Sequence, residues 1–179
     1  MCIRDRCTDV RVNIVTKELF KEFKKPKDYL DKPASKLEKM VQSTGFFRQK
    51  AKNIRAAMKL LVEEHGSKAP KTMEELVKLP GVGRKTANVV LGNGYNIPGL
   101  PVDTHVTRLC NRIGLSKNTD AVKIEHELNE LLDKKHWTLF SLRLIFHGRR
   151  VCKARKPNCE ECVLTDICNH YLKENKKNG

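Results

Sequence analysis

Leu79-Pro-Gly-Val-Gly-Arg-Lys-Thr86 is the stretch from which the rest of the chain can be read. Before it, Thr72-Met-Glu-Glu75 has the form of a capping box, a hydroxyl at the N-cap and a carboxylate three residues on, followed by Leu76 and Leu79 on one face. After it, Ala87, Val89, Val90 and Leu91 form a helix-compatible run up to Gly92-Asn-Gly94, where a break is expected. The prediction is therefore helix, Pro-Gly-Val-Gly hairpin, helix, over about 72–93. Gly81 and Gly83 can take backbone angles closed to other residues and leave no side chain between backbone and ligand. The second helix opens with N–H groups aimed outwards, which suits a phosphate. Lys85, next to Arg84 in that first turn, adds an amine at the same place. A plain helix–helix turn with a solvated Arg-Lys pair would look much the same, so the glycines alone do not decide.

Outward from the hairpin, the periodicity stays helical. Val10, Val12, Ile14, Val15, Leu19, Phe20 and Phe23 predict an amphipathic helix ending near Pro26. A short helix follows around Leu37, Met40 and Val41, stopped by Gly45. Ala51, Ile54, Ala57, Met58, Leu61 and Val62 make a strong helical stripe. The loop 94–101, with two prolines and two glycines, is the expected lobe boundary. Beyond it, Asp103 is placed to cap a helix through Val106, Leu109, Cys110 and Ile113. Residues 120–133 give another amphipathic helix. Trp137, Leu139, Leu142, Ile145 and Phe146 predict a last core helix before Gly148. No alternating strand of useful length appears, so the fold class is all-α, with lobes at 7–97 and 98–179 and an unmatched leader at 1–6.

Of the 179 residues, 36 are Lys or Arg and 21 are Asp or Glu, a formal charge of +15. Such a field favours a polyanionic partner. Lys36, Lys39, Lys50 and Lys52 are expected at the surface, within reach of phosphates. No stretch approaches the roughly 20 apolar residues of a membrane span, and no signal-peptide core is present. An intracellular protein, monomeric and away from membranes, is the expectation. In that compartment seven cysteines argue for metal over disulfides. Cys2, Cys7 and Cys110 are isolated. The other four form Cys152-x6-Cys159-x2-Cys162-x5-Cys168, a set that zinc could also use. Lys153, Arg155 and Lys156 lie between them, able to offset an anionic centre or to face phosphate.

LPGVGRKTA, the run Val102-Asp-Thr-His-Val-Thr-Arg-Leu-Cys-Asn-Arg112 and the cysteine spacing together resemble the endonuclease III family of DNA glycosylases and AP lyases. The match covers nearly the whole chain from about Cys7. It implies a helix-hairpin-helix glycosylase fold, a helical barrel lobe plus a 4Fe–4S cluster lobe held by the four tail cysteines. It implies that the hairpin, through Gly81, Gly83 and Arg84, grips duplex DNA carrying damaged bases or abasic sites. Lys85 would be the nucleophile and Asp103 the catalytic carboxylate. Gly45-Phe-Phe-Arg-Gln-Lys-Ala51 would present Phe46 as a wedge opposite the flipped base, although an ordinary core aromatic fits there as well. His105, Lys153 and Arg155 are further candidate DNA contacts.

The chemistry of that family needs these residue types. An amine can attack the anomeric sugar carbon, displace a base and form a Schiff base. It must first lose its proton, which a helix N-terminus and partial burial both favour. A carboxylate can stabilise the charge growing on the sugar and help move protons. Reaching that carbon requires taking the nucleotide out of the stack. Damaged bases, oxidised pyrimidines in particular, are the implied substrates. Two competing readings are an adenine-specific mismatch glycosylase, against which Lys85 counts, and a non-catalytic DNA-binding module. The family pattern fails at the front, where no residue matches its gap-filling glutamine; truncation there, with loss of activity, is one expectation.

Overall fold

The computed structural model describes residues 8–175. The leader 1–6, Cys2 and Cys7 lie outside the described residues. Backbone proximity divides the chain into two compact units, Met1–Ala87 and Asn88–Gly179. Every regular element among the described residues is helical, as the periodicity requires.

In the first unit, α1 (Asp9–Glu22) starts where the Thr8 hydroxyl accepts the Arg11 amide. Val15, Leu19 and Phe23 recur every four residues and are buried together with Leu37 and Val41 of α3 (Ala34–Val41) and Ala51 and Ile54 of α4 (Phe47–Glu64). Val10, Ile14 and Phe20 lie on other sides of α1 and are exposed. Between α1 and α3 sits a four-residue helix, α2 (Asp28–Asp31), too short to show a period in sequence. The Asp28 carboxylate accepts the Lys25 and Lys24 amides, which hold its pKa below the usual value. Tyr29 of α2 stacks on Phe23, ring centres 4.5 Å apart. Arg55 ties α4 back to this turn by donating to the carbonyls of Lys32 and Leu30. Glu22 accepts from Lys32 and Lys36, which hold its carboxyl at about 2.

Thr72 caps α5 (Met73–Lys78), its hydroxyl accepting the Glu75 amide at 3.3 Å and donating to the Glu75 carboxylate at 2.7 Å. The expected capping box is there, closed through the hydroxyl. Helix α6 (Arg84–Tyr95) carries the boundary between the units and does not break at Gly92. A Cβ at Gly92 would stand 3.1 Å from the Thr138 hydroxyl, so the glycine admits a close neighbour and does not end the helix.

The second unit packs α7 (Thr104–Ile113), α8 (Ala121–Leu131) and α9 (Trp137–Arg150) around Leu100, Val106, Leu109, Cys110, Ile124, Leu128 and Leu144. Burial drives the Cys110 thiol up to about 11, fitting a small core residue. The expected core face of α9 is corrected. Leu139, Leu142 and Phe146 are exposed, whereas Ser141, Leu144 and Gly148 are buried. Gly148 lets α9 approach α7, since a Cβ there would meet His105 and Arg108, and the Ser141 hydroxyl donates to the Pro101 carbonyl. Helix α9 also continues past Gly148, and it is not the last: α10 (Asn169–Asn175) follows and packs on α7.

Leu37 is fully buried, so Leu37→Ala should cost about 2–5 kcal/mol, read as a lower urea midpoint. The Glu22 carboxyl is lowered from 4.5 to about 2 in the folded chain. Its contribution to stability is thus present above the unfolded value and lost as pH falls through about 2. Glu22→Gln should flatten that part of the pH–stability curve, and added salt should shrink the difference between the two proteins.

Candidate functional site

In the first unit the hairpin is closed by Val82 N–H donating to Leu79 O at 3.0 Å, and α6 begins with Ala87 N–H donating to Gly83 O at 2.9 Å. Gly81 has a φ of 77°, a left-handed turn that favours glycine. Gly83 does not share that conformation, which corrects the expectation for it. A Cβ built on Gly83 meets nothing within 4 Å, so the fold itself leaves this position open. The bare backbone there is accessible from outside. Leu76 and Leu79 are buried beneath the turn, while Gly81, Gly83 and Lys85 are exposed and Arg84 is half-buried. The partial burial expected for Lys85 is therefore not found: the residue is exposed in the first turn of α6.

The other feature of this unit is the turn into α4. Phe46 stands at its N-cap with φ 49° and ψ 31°, left-handed and without a side-chain cap. Phe46 is 62% exposed, which removes the core-aromatic reading; Phe47, partly buried, packs against the core instead. A non-glycine residue in this region costs of order 1 kcal/mol and persists only where its surroundings hold it. Lys50 is part of that hold. It is 4% exposed, and its ammonium donates to the Thr44 carbonyl at 2.7 Å and lies 3.4 Å from the Thr44 hydroxyl. That corrects the expectation of a phosphate-reaching Lys50: the side chain runs back toward the helix start and is used beneath the turn. Lys36 is likewise engaged by Glu22, while Lys39 and Lys52 are exposed.

In the second unit, Asp103 caps α7 as expected. Its Oδ1 accepts the amides of His105 at 2.8 Å and Val106 at 2.9 Å, so both cap bonds fall on one carboxylate oxygen. Asp103 is half-buried. His105 Nδ1 lies 3.1 Å from Arg108 Nη2. Arg108 also donates to the carbonyls of Gly148 and Cys152, each at 2.9 Å.

One turn on, Arg112 donates to the Lys153 and Ala154 carbonyls and reaches Cys152 Sγ at 3.1 Å. Neither arginine was singled out in sequence, although their spacing of four on the helix after Asp103 places them on one face.

Cys152, Cys159, Cys162 and Cys168 are half-buried and line one pocket with Arg112, His170 and Tyr171. Burial, then the charges of Cys162, Cys152 and Cys168, raise the Cys159 pKa, a mark of mutual proximity. His147 lies 3.5 Å from Cys162 Sγ through Nε2, and burial lowers its pKa. Among the described residues, no group of three or more Cys, His, Asp or Glu is arranged to hold a single metal ion. A 4Fe–4S cluster asks for something else, one thiolate for each iron around a shared centre. Four thiols facing one pocket, with a guanidinium beside them, fit that group. Lys153 and Arg155 are exposed on the same loop.

Comparison with known proteins agrees with this geometry. Residues 1–134 match the model of the HhH-GPD superfamily of base excision DNA repair proteins, and residues 152–168 match the iron–sulfur binding domain of endonuclease III. The chain is 45% identical over 173 residues to endonuclease III of Bacillus subtilis, covering 96% of this chain and 79% of that one. It is 49% identical over 164 residues to endonuclease III of Synechocystis sp., covering 91% and 75%. Among solved structures, a trapped covalent intermediate of endonuclease III with DNA, an estranged-adenine complex, superposes with a TM-score of 0.91 at 38% identity, covering 97% of this chain and 82% of that one.

Two outcomes follow. The anaerobically purified protein should carry about four irons per chain; one zinc and no iron would contradict the fit. Gly83→Val should leave the melting temperature unchanged, because its Cβ is unopposed. It should weaken DNA binding uniformly across sequences, since backbone contacts carry no base information. Unaltered affinity in a filter-binding assay would remove the hairpin from the interface.

Proposed function

The chain belongs to the endonuclease III family of the HhH-GPD superfamily of base excision DNA repair proteins, and from that premise we propose a bifunctional enzyme: a glycosylase for oxidised pyrimidines that also cuts the strand as an AP lyase. That it is a DNA glycosylase with an iron–sulfur cluster follows from the family and the 152–168 domain. The lyase step rests on one observation above all, Lys85 held exposed in the first turn of α6 behind a hairpin whose backbone is open. The structural neighbour caught covalently on DNA supports the same chemistry.

In this reading the neutral Lys85 amine attacks C1′ of the damaged nucleotide. A C1′–N bond to lysine forms as the glycosidic bond breaks, and the base leaves with a proton. Opening of the sugar gives a Schiff base. Its positive nitrogen acidifies the C2′ proton, and loss of that proton expels the 3′ phosphate, cutting the strand. Asp103 serves the charge that grows on the sugar. Its Oδ1 is committed to the α7 cap, which fixes the carboxylate in place at no further cost during reaction, while the negative charge remains to oppose an oxocarbenium-like centre.

Binding falls to Gly81, Gly83 and Arg84 at the phosphates and to Phe46 as the wedge. Lys153 and Arg155 face the DNA backbone, with His105 as a further contact. The iron–sulfur cluster, held by Cys152, Cys159, Cys162 and Cys168, supplies cross-links within its loop.

Lys85→Ala and Lys85→Gln should both abolish strand cleavage on abasic DNA while binding persists. Asp103→Asn keeps an oxygen for the cap, so the fold should survive. Base release in single turnovers should nonetheless slow on the order of 100-fold or more. A near-silent Asp103→Asn would return that residue to a helix cap alone.

A further inference from the structure

We propose that Arg112 is a positioning residue of the iron–sulfur centre, donating to the sulfur of Cys152 and clamping the loop that carries it. The inference rests on the reading of Cys152 as a cluster ligand. Arg112 is nine residues beyond Asp103, at the far end of the same helix, half-buried against the loop. Its Nη1 stands 3.1 Å from Cys152 Sγ and 2.8 Å from Lys153 O, and its Nη2 stands 2.8 Å from Ala154 O. Its own carbonyl lies 3.6 Å from Cys168 Sγ, a neighbour by position only once that thiol gives up its proton to bind iron. One residue of α7 thus touches both the first and the last cysteine of the set. Arg108, one turn earlier, reaches only backbone carbonyls of this region, so of the two arginines Arg112 is the one that contacts sulfur.

The geometry uses what a guanidinium alone provides. A planar fork with several donors and a permanent charge can satisfy two carbonyls and a sulfur at once; a lysine ammonium would have to choose among them. Charge and a hydrogen bond at a ligand sulfur draw electron density from the cluster and favour its more reduced form, so they raise its potential. The two carbonyl bonds act differently. They hold residues 153 and 154, and with them Cys152, against a helix that is itself pinned by the Asp103 cap. A ligand so held dissociates from iron less often.

The two effects can be read separately on the loaded, full-length protein. Arg112→Met keeps bulk but removes charge and donors. The cluster midpoint potential, from protein-film voltammetry, should fall, and iron loss to a chelator should quicken roughly 10-fold, the scale on which supporting contacts affect metal sites. Arg112→Lys keeps the charge, so its potential should move less while iron is still lost faster. It also carries the measurement if Arg112→Met does not load. Wild-type potential and wild-type iron loss in both variants would overturn the proposal. Faster loss with an unmoved potential would also overturn it, reducing Arg112 to a loop brace. Cys152→Ser tests the premise independently: full iron retention there would remove Cys152 from the ligand set whatever Arg112 does.

Discussion

Two backbone amides, those of His105 and Val106, end on a single oxygen of Asp103, and helix α7 begins at that point. Much of the second unit depends on where α7 begins. Its inner face places Val106, Leu109 and Cys110 in the core. Its other flank carries Arg108 and Arg112 toward the cysteine loop. At 1.5 Å per residue, the nine steps from Asp103 to Arg112 span roughly 14 Å along one rigid rod. The carboxylate assigned to the reaction and the guanidinium beside the cluster loop are therefore set by the same helix. A change in the cap would be felt at both ends.

The formal charge of +15 overstates what DNA meets. Lys50 and Arg55 spend donors on carbonyls of their own unit, Arg108 and Arg112 do so in theirs, and Lys32 and Lys36 share Glu22. Arginine's fork makes it suited to such internal work. The cations exposed on the cysteine loop, Lys153, Arg155 and Lys156, are a smaller set. A salt-dependence slope should thus report a handful of phosphate contacts, well below the count of basic residues.

What could be read in sequence had local causes. The Thr72 and Asp103 caps, the hairpin and the stripe of α4 depend on residues within a turn of each other, and each is found in place. The cysteine spacing carried its metal chemistry in the same way. What escaped was decided by partners far along the chain. Gly92 reads as a helix breaker until Thr138 fills the space a Cβ would need. Large residues mark the inward face of α9 in sequence, yet the Pro101 carbonyl selects Ser141 and close approach to α7 selects Gly148. Lys50 looked like a surface cation because nothing local announces the Thr44 carbonyl as its partner. Arg112 was visible only as one more basic residue, since its acceptors lie some forty positions away.

One amine, that of Lys85 at the first turn of α6, is proposed to do the bond-making. Reduction with borohydride during reaction on an abasic duplex, followed by peptide mapping of the adduct by mass spectrometry, tests it directly. The deoxyribose remnant should map to the peptide bearing Lys85 and fragment to that side chain. An adduct on any other lysine, or none while strands are still cut, would contradict the assignment.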